Sequence, residues 1–288
     1  MRIVKPLIDW FVFSNLYVAL PVSALAWSTY LIFSIPVSVP VLAFIYCSTL
    51  FLYNTHRLVG LNQMDPGDVA PRHQWALDHP WVMRALVILP ALGIPYFLYS
   101  TEVNFWWGLL VPALIALGYT VPIIRKKGKP YRLRDVPYAK IFLISFTVSY
   151  VTAILPLMNE TGDLWRNEVA LGHALARAFF ILAITIPFDI RDYKFDEPAK
   201  LQTLPLLFGI QRAKRLSLLA LVFFAGISFY LFEANATITI AYLLSAIATA
   251  WIIEYCNENS SEYYYSLLIE GTMIIQFLLI LSLGFLVG

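Results

Sequence analysis

Apolar stretches of about 20 residues follow one another along this chain, broken by short connections that carry most of its charge. They lie near 8–33, 36–53, 81–100, 104–124, 136–157, 169–188, 214–233, 236–255 and 264–287, and none alternates polar with apolar positions as a barrel strand does. A membrane helix needs about 20 apolar residues, and its backbone groups must be satisfied within the segment. The pattern therefore predicts an all-α integral membrane bundle of about nine transmembrane helices.

Composition supports the same class. Of 288 residues, 60% are hydrophobic and 13% charged, with a mean hydropathy of +0.71, whereas soluble domains are about 45–50% apolar. A soluble fold is excluded. The formal charge of +2 gives no footprint for nucleic acid. The opening "MRIVKPLIDWFVFSNLYVAL" is basic and then apolar like a signal peptide, but no small-residue cleavage pattern follows. It is expected to stay as the first span. Cys47 and Cys256 lie far apart without metal-ligand spacing and read as small buried hydrophobes.

Charge alternates between connections. Arg2 and Lys5, then Arg57 and Arg72, then Arg125 to Arg134, then Arg191 to Arg215 form basic groups, while Glu102, then Glu160, Asp163, Arg166 and Glu168, then Glu233 occupy the turns between them, with one basic residue among them. By the positive-inside rule the basic connections face the cytoplasm, with the N-terminus inside, in a multi-pass protein of the cytoplasmic membrane. The segment "CNENSSEYYY" should also face inward yet has no Lys or Arg. Two inward connections, 54–80 and 189–213, are longer than a turn requires, and each follows an even-numbered span. That spacing suggests a pseudo-repeat of 8–124 and 136–255 plus a ninth helix, within one polytopic domain covering 1–288.

The densest chemistry lies in "IPFDIRDYKFDEPAKLQTLPLLFG", where an apolar span runs into Asp189, Asp192 and Asp196. Spaced by three and four, they fall within roughly a 60° arc of one helix face. Such crowding calls for a cation. Mg²⁺ suits carboxylate oxygens completed by water and substrate phosphates, which makes a diphosphate the natural ligand. Arg191, Lys194 and Lys200 add positive charge for phosphate. The bland alternative is a solvated helix end with local ion pairs, set against the rule that membrane-edge carboxylates are functional.

At this point the sequence resembles the UbiA superfamily of intramembrane prenyltransferases. The residues that carry the likeness are the D-x-x-D-x-x-x-D of Asp189, Asp192 and Asp196, then Lys200, Thr203, Leu204, Pro205 and Gly209, with Tyr264, Tyr265, Glu270 and Gly271 further on. The resemblance implies transfer of a prenyl group from a prenyl diphosphate to a lipophilic, often aromatic acceptor, with Mg²⁺ on the diphosphate. It also implies a first aspartate motif, N-D-x-x-D-x-x-x-D, at the end of span two. This chain has "YNTHRLVGLNQMD" there, placing Thr55, Leu58 and Asn62 where the carboxylates would stand. Two substitutes are open. Asn54 and Asn62 can act as neutral oxygen ligands with His56 and Arg57 supplying charge, Arg matching phosphate bidentately. Alternatively Asp65 and Asp68 contribute from the loop, although Pro66 and Gly67 interrupt any helix there.

Other polar residues within spans are expected to face the interior. Ser14 and Asn15 suit interhelical hydrogen bonds. Lys140 can snorkel or reach a diphosphate. Arg177, deeper in its span, can pair with Glu168 or Glu270. His73, Trp75 and His79 read as a surface loop with local pairing, and the many aromatic rings as interface belts and packing. The functional readings are a Mg²⁺-dependent prenyltransferase with Asp189, Asp192 and Asp196 as metal ligands, a noncatalytic binder of an isoprenoid or its diphosphate, and a secondary transporter. The protein partner is left open.

Overall fold

The computed structural model describes residues 4–61, 71–120, 124–126, 129–131, 133, 136, 138–160, 163–197 and 202–287. Every apolar segment expected from the sequence contains helix. Helices α1 (Val4–Phe13), α2 (Leu16–Ile32), α3 (Val39–Leu61), α4 (Pro71–Asp78), α5 (Pro80–Leu98), α6 (Val103–Gly108) and α7 (Leu110–Thr120) are followed by a hairpin of β1 (Ile124–Lys126) and β2 (Lys129–Tyr131). The hairpin pairs Ile124 with Tyr131, Arg125 with Pro130 and Lys126 with Lys129. It is a small addition to the expected all-helical class, and a two-stranded ribbon tolerates Pro130 because both strands are edges. Then come α8 (Ala139–Ser149), α9 (Leu155–Met158), α10 (Glu168–Arg191), α11 (Tyr193–Asp196), α12 (Leu204–Phe208), α13 (Ile210–Leu231), α14 (Ala236–Tyr255) and α15 (Gly271–Val287).

Among the described residues six helices are long and apolar enough to cross a membrane, seven if the bent pair α1–α2 is one span. The expected segment near 36–53 is α3, whose last two turns carry Asn54, Thr55, His56 and Arg57. The segment near 104–124 is an apolar helix of modest length, Val103–Tyr119.

The chain divides into two compact units, Met1–Ala24 with Ser38–Thr101, and Leu25–Val37 with Glu102–Gly288. In the first unit α3 packs on α5, and the chain bends by 63° between α1 and α2. The bend falls at Asn15, at φ 63, a left-handed position that Asn visits more readily than most residues, and its side chain is fixed there by Asn54 and Arg57 of α3. The Ser14 hydroxyl accepts from the Leu16 N–H at 3.3 Å, occupying a donor freed at the helix start.

The second unit is organised around α10, which packs on α8, α13 and α14. Asn167 caps it by accepting from the Val169 N–H at 2.9 Å, with Glu168 in its first turn and Arg191 in its last, the charge order that the helix dipole favours. Pro187 lacks the N–H that would satisfy the Ala183 carbonyl. The Ser217 hydroxyl of α13 donates to that carbonyl instead. The same problem arises where α8 widens into a π-turn at Tyr150–Ile154 ahead of Pro156. There the Thr152 carbonyl accepts from Thr29 Oγ1 at 2.7 Å and Arg177 Nη1 at 2.8 Å. In lipid, a carbonyl freed by proline must find such a partner.

Arg177 is thereby accounted for. Rather than an acid, it bonds the Leu25 carbonyl at 2.9 Å, Thr29 Oγ1 at 2.7 Å and Ser28 Oγ at 2.8 Å. The expected pairing with Glu168 or Glu270 is corrected: geometry directs the guanidinium to α2 and the π-turn, where neutral oxygens collect. Beside it the His173 ring lies 3.1 Å from the Tyr242 hydroxyl.

Candidate active site

The span α10 ends on a cluster of charge. Asp189 is buried, 3% exposed, and its Oδ1 accepts from Lys140 Nζ at 2.9 Å. Lys140 stands in the first turn of α8, which packs along α10. One turn beyond Asp189 the helix ends at Asp192, whose N–H still donates to the Phe188 carbonyl at 3.1 Å. Arg191 folds onto Asp192 as a fork, Nε to Oδ1 at 2.8 Å and Nη2 to Oδ2 at 3.0 Å. Its remaining Nη1 donates to Glu262 Oε1 at 3.3 Å. The guanidinium lies 5.0 Å from the Phe188 ring centroid and 6.0 Å from that of Tyr265, a geometry that stabilises a cation on aromatic faces.

Asp196 closes the group. The short helix α11 carries it one turn past Asp192, its N–H donating to the Asp192 carbonyl at 2.9 Å. Burial, with the charges of Asp192 and Asp189, pushes its carboxyl up to about 6 against the opposing pull of Lys140 and Arg191. Among the described residues the cluster thus holds four carboxylates (Asp189, Asp192, Asp196, Glu262) against two cations (Lys140, Arg191). That excess is two negative charges when all are ionised, whereas the rise at Asp196 comes first from burial, with Asp192 and Asp189 adding to it.

A divalent cation matches this excess. Among the described residues, however, no three His, Cys, Asp or Glu side chains are grouped as a ready-made metal site. The donor set fits Mg²⁺ in its usual mode, in which one or two carboxylates bind it and substrate phosphates and water complete the octahedron. One or two of Asp189, Asp192 and Asp196 would hold it in that mode.

The other expected site residues are distributed differently. Lys194 is exposed and donates to Asn259 Oδ1 at 2.7 Å. Lys200 and Asn62 lie outside the described residues, as do Asp65 and Asp68. Asn54, fully buried, is in the first unit, where its Oδ1 accepts from Asn15 Nδ2 at 3.0 Å. Its amide donates to the carbonyls of Leu50 at 2.9 Å and Ser14 at 3.2 Å. Arg57 donates to the Phe13 carbonyl and to Asn15 Oδ1. Both side chains therefore tie α3 to the α1–α2 bend. His56 is half-buried one residue earlier. His79 stacks on Trp75 at 4.5 Å and bonds its carbonyl at 2.8 Å, a local pairing as expected.

Glu262 was not singled out from sequence. Its signal was the connection "CNENSSEYYY": an acidic and polar segment without Lys or Arg is suited to receive cations, and it supplies Glu262 to Arg191 and Asn259 to Lys194. Tyr265, whose hydroxyl donates to the Asn257 carbonyl at 2.7 Å, anchors that connection beside the site.

No protein-family model and no curated protein sequence matches the chain. Solved structures do match in fold. A UbiA homologue from Archaeoglobus fulgidus superposes with a TM-score of 0.64 at 15% identity, covering 96% of this chain and 98% of that one. The apo UbiA homologue from Aeropyrum pernix K1 gives 0.58 at 15% identity, over 96% of each chain. A digeranylgeranylglyceryl phosphate synthase gives 0.58 at 13% identity, over 97% of this chain and 99% of the other. The A. fulgidus homologue has also been solved bound to GPP and Mg²⁺ and to DMAPP and Mg²⁺.

Proposed function

We propose that this chain, which has the UbiA fold, is an intramembrane prenyltransferase that moves a prenyl group from a prenyl diphosphate to a lipophilic acceptor of aromatic character. The observation that carries the reading is the acid-rich cluster at the end of α10. Four carboxylates and two cations are held together on a fold whose solved relatives bind GPP or DMAPP with Mg²⁺. Mg²⁺, when bound, neutralises charge on the diphosphate and so favours its departure.

The chain's own residues do the rest. Lys140 and Arg191 sit within the carboxylate group; without substrate they bond Asp189 and, through the fork, Asp192, and exchanging those carboxylate oxygens for phosphate oxygens gives the diphosphate its donors. As the allylic C–O bond breaks, its electron pair leaves with the diphosphate, and these donors meet charge that grows in the transition state. The acceptor then forms the new bond to the allylic carbon and gives up a proton. Glu262 and the Phe188 and Tyr265 rings keep Arg191 in place. The sequence-based orientation puts this end of the bundle at the cytoplasmic face, with Lys194 and Lys200 as further phosphate contacts. Asn54, His56, Arg57 and Asn62 are proposed as substrate contacts in place of the missing first motif, Asn54 and Arg57 in addition to holding the α1–α2 bend.

The test uses purified protein in lipid. A labelled prenyl diphosphate is titrated with and without Mg²⁺, and diphosphate release is followed while a panel of aromatic acceptors is offered. Mg²⁺-dependent acceptor prenylation is expected, and Asp192→Asn should abolish it in a folded protein. Full turnover by folded Asp192→Asn would refute the site. A second reading is favoured by the internal pairing of Asp189 and Asp192 with cations together with the absent first-motif carboxylates: a noncatalytic binder. Tight binding without turnover across the acceptor panel would select it.

A further inference from the structure

Outside the cluster, a concavity of about 330 Å³ opens along the start of α13, lined by Phe208, Arg212, Arg215, Leu216 and Leu219. Its shape follows from Gly209. The chain stops α12 there, with the Gly209 N–H donating to the Pro205 carbonyl at 2.9 Å, and starts α13 one residue later. Gly209 has φ 85, a turn open to glycine at little cost. The reversal stands Phe208 beside the first turns of α13.

This face of α13 is the one turned away from α10. The opposite face packs inward through Ala213, Ser217, Ala220, Leu221 and Phe224, all buried. The intervening Lys214 also turns inward, donating to the Glu254 carbonyl at 2.8 Å. The concavity is therefore separate from the carboxylates of α10. Arg212 and Arg215 are exposed and make no hydrogen bond or ion pair among the described residues. Two like charges three apart on a helix repel. Below them Leu216 and Leu219 are 39% and 49% exposed, and the apolar surface continues along the span through Val222, at 65%.

We propose that this apolar concavity seats an acyl chain of an anionic membrane phospholipid against Phe208, Leu216 and Leu219, with the exposed Arg212 and Arg215 contacting its headgroup phosphate. Two observations select an amphiphile over a free anion. The cations are unpaired, and the wall below them is apolar and continuous with the lipid-facing side of a 22-residue span. Basic pockets at a span's end are the usual form of such sites, and the sequence-based orientation puts this one in the leaflet that carries anionic lipid.

The test is native mass spectrometry of protein released from phosphatidylcholine nanodiscs containing graded phosphatidylglycerol. Wild type is expected to retain phosphatidylglycerol in preference to phosphatidylcholine. The double variant Arg212→Gln/Arg215→Gln should hold it about thirtyfold more weakly, about a fivefold loss for each arginine at a membrane surface. Arg166→Gln, which also removes one exposed cation, should leave retention unchanged. Equal retention of both lipids by wild type overturns the proposal, as does unchanged retention by the double variant. Displacement by millimolar inorganic phosphate would make the site a free-anion site, and displacement by a prenyl diphosphate would make it a substrate site; either overturns it. The lipid preference and competition of wild type decide the question even if the double variant fails to fold.

Discussion

The Lys140–Asp189 pair offers the sharpest test, because its structural and functional roles separate. The charges are 2.9 Å apart, with the Asp189 side chain 4% exposed and that of Lys140 35% exposed. Coulomb attraction at that distance is about 1.4 kcal/mol at the dielectric of water and about 5.7 kcal/mol at an effective dielectric of 20. With one partner buried and the other a third exposed, the pair lies between these limits, at a coupling of about 3 kcal/mol. Removing one partner costs more than the pair itself contributes, because a buried charge is left alone. Lys140→Met should therefore destabilise the protein by about 3 kcal/mol, and Asp189→Leu in the same protein should recover most of that loss. Equilibrium unfolding in detergent micelles, run on both single variants and the double, gives the coupling as a double-mutant cycle. If the pair also serves the diphosphate, the double variant should be stable but without turnover. A coupling below about 0.5 kcal/mol would refute the electrostatic account. Full activity in the stable double variant would refute the catalytic one.

Three further outcomes are expected. Arg191→Lys should keep the charge but lose the fork to Asp192 and the reach to Glu262, lowering turnover at least tenfold, about the worth of one charge-assisted hydrogen bond, while melting changes little. Metal binding should depend on pH through Asp196, whose carboxyl sits at about 6. Its proton must leave for metal, so Mg²⁺ affinity measured by calorimetry should be flat above about 6 and fall up to about tenfold per unit below it. The sign for the metal-free fold is opposite to the ordinary carboxylate case: the protonated acid is favoured, and its contribution to stability is lost as pH rises from about 4 to about 6. Finally, Arg177→Met should strip the Thr152 carbonyl of one donor ahead of Pro156 and destabilise by about 2–4 kcal/mol, with turnover per folded molecule retained; a melting series in micelles checks it.

Hydropathy and charge spacing are local properties, and what depends on them was legible in the chain. Helices occupy every expected apolar segment, α10 runs into Asp189 and Asp192 as its apolar pattern demands, and the spacing of three and four placed Asp196 one turn beyond. The need for a compensating cation was also legible, since three carboxylates on one face repel wherever the helix is put. Which cation meets which acid was not. Lys140 reaches Asp189 across 49 positions of sequence and Arg191 reaches Glu262 across 71, so only the packing of α8 and of the α14–α15 connection decides it. Arg177 shows the same limit from the other side. A lone buried arginine suggests an acid partner, yet its donors were claimed by a carbonyl ahead of Pro156 and by hydroxyls from α2. Asn54 and Arg57 read as ligands on a resemblance, and only the tertiary structure shows that their side chains also hold the left-handed turn at Asn15. Sequence determined where polar groups enter the apolar spans. The tertiary structure decided their partners, because in lipid each freed carbonyl and each charge must be answered by whatever neighbouring helix lies beside it.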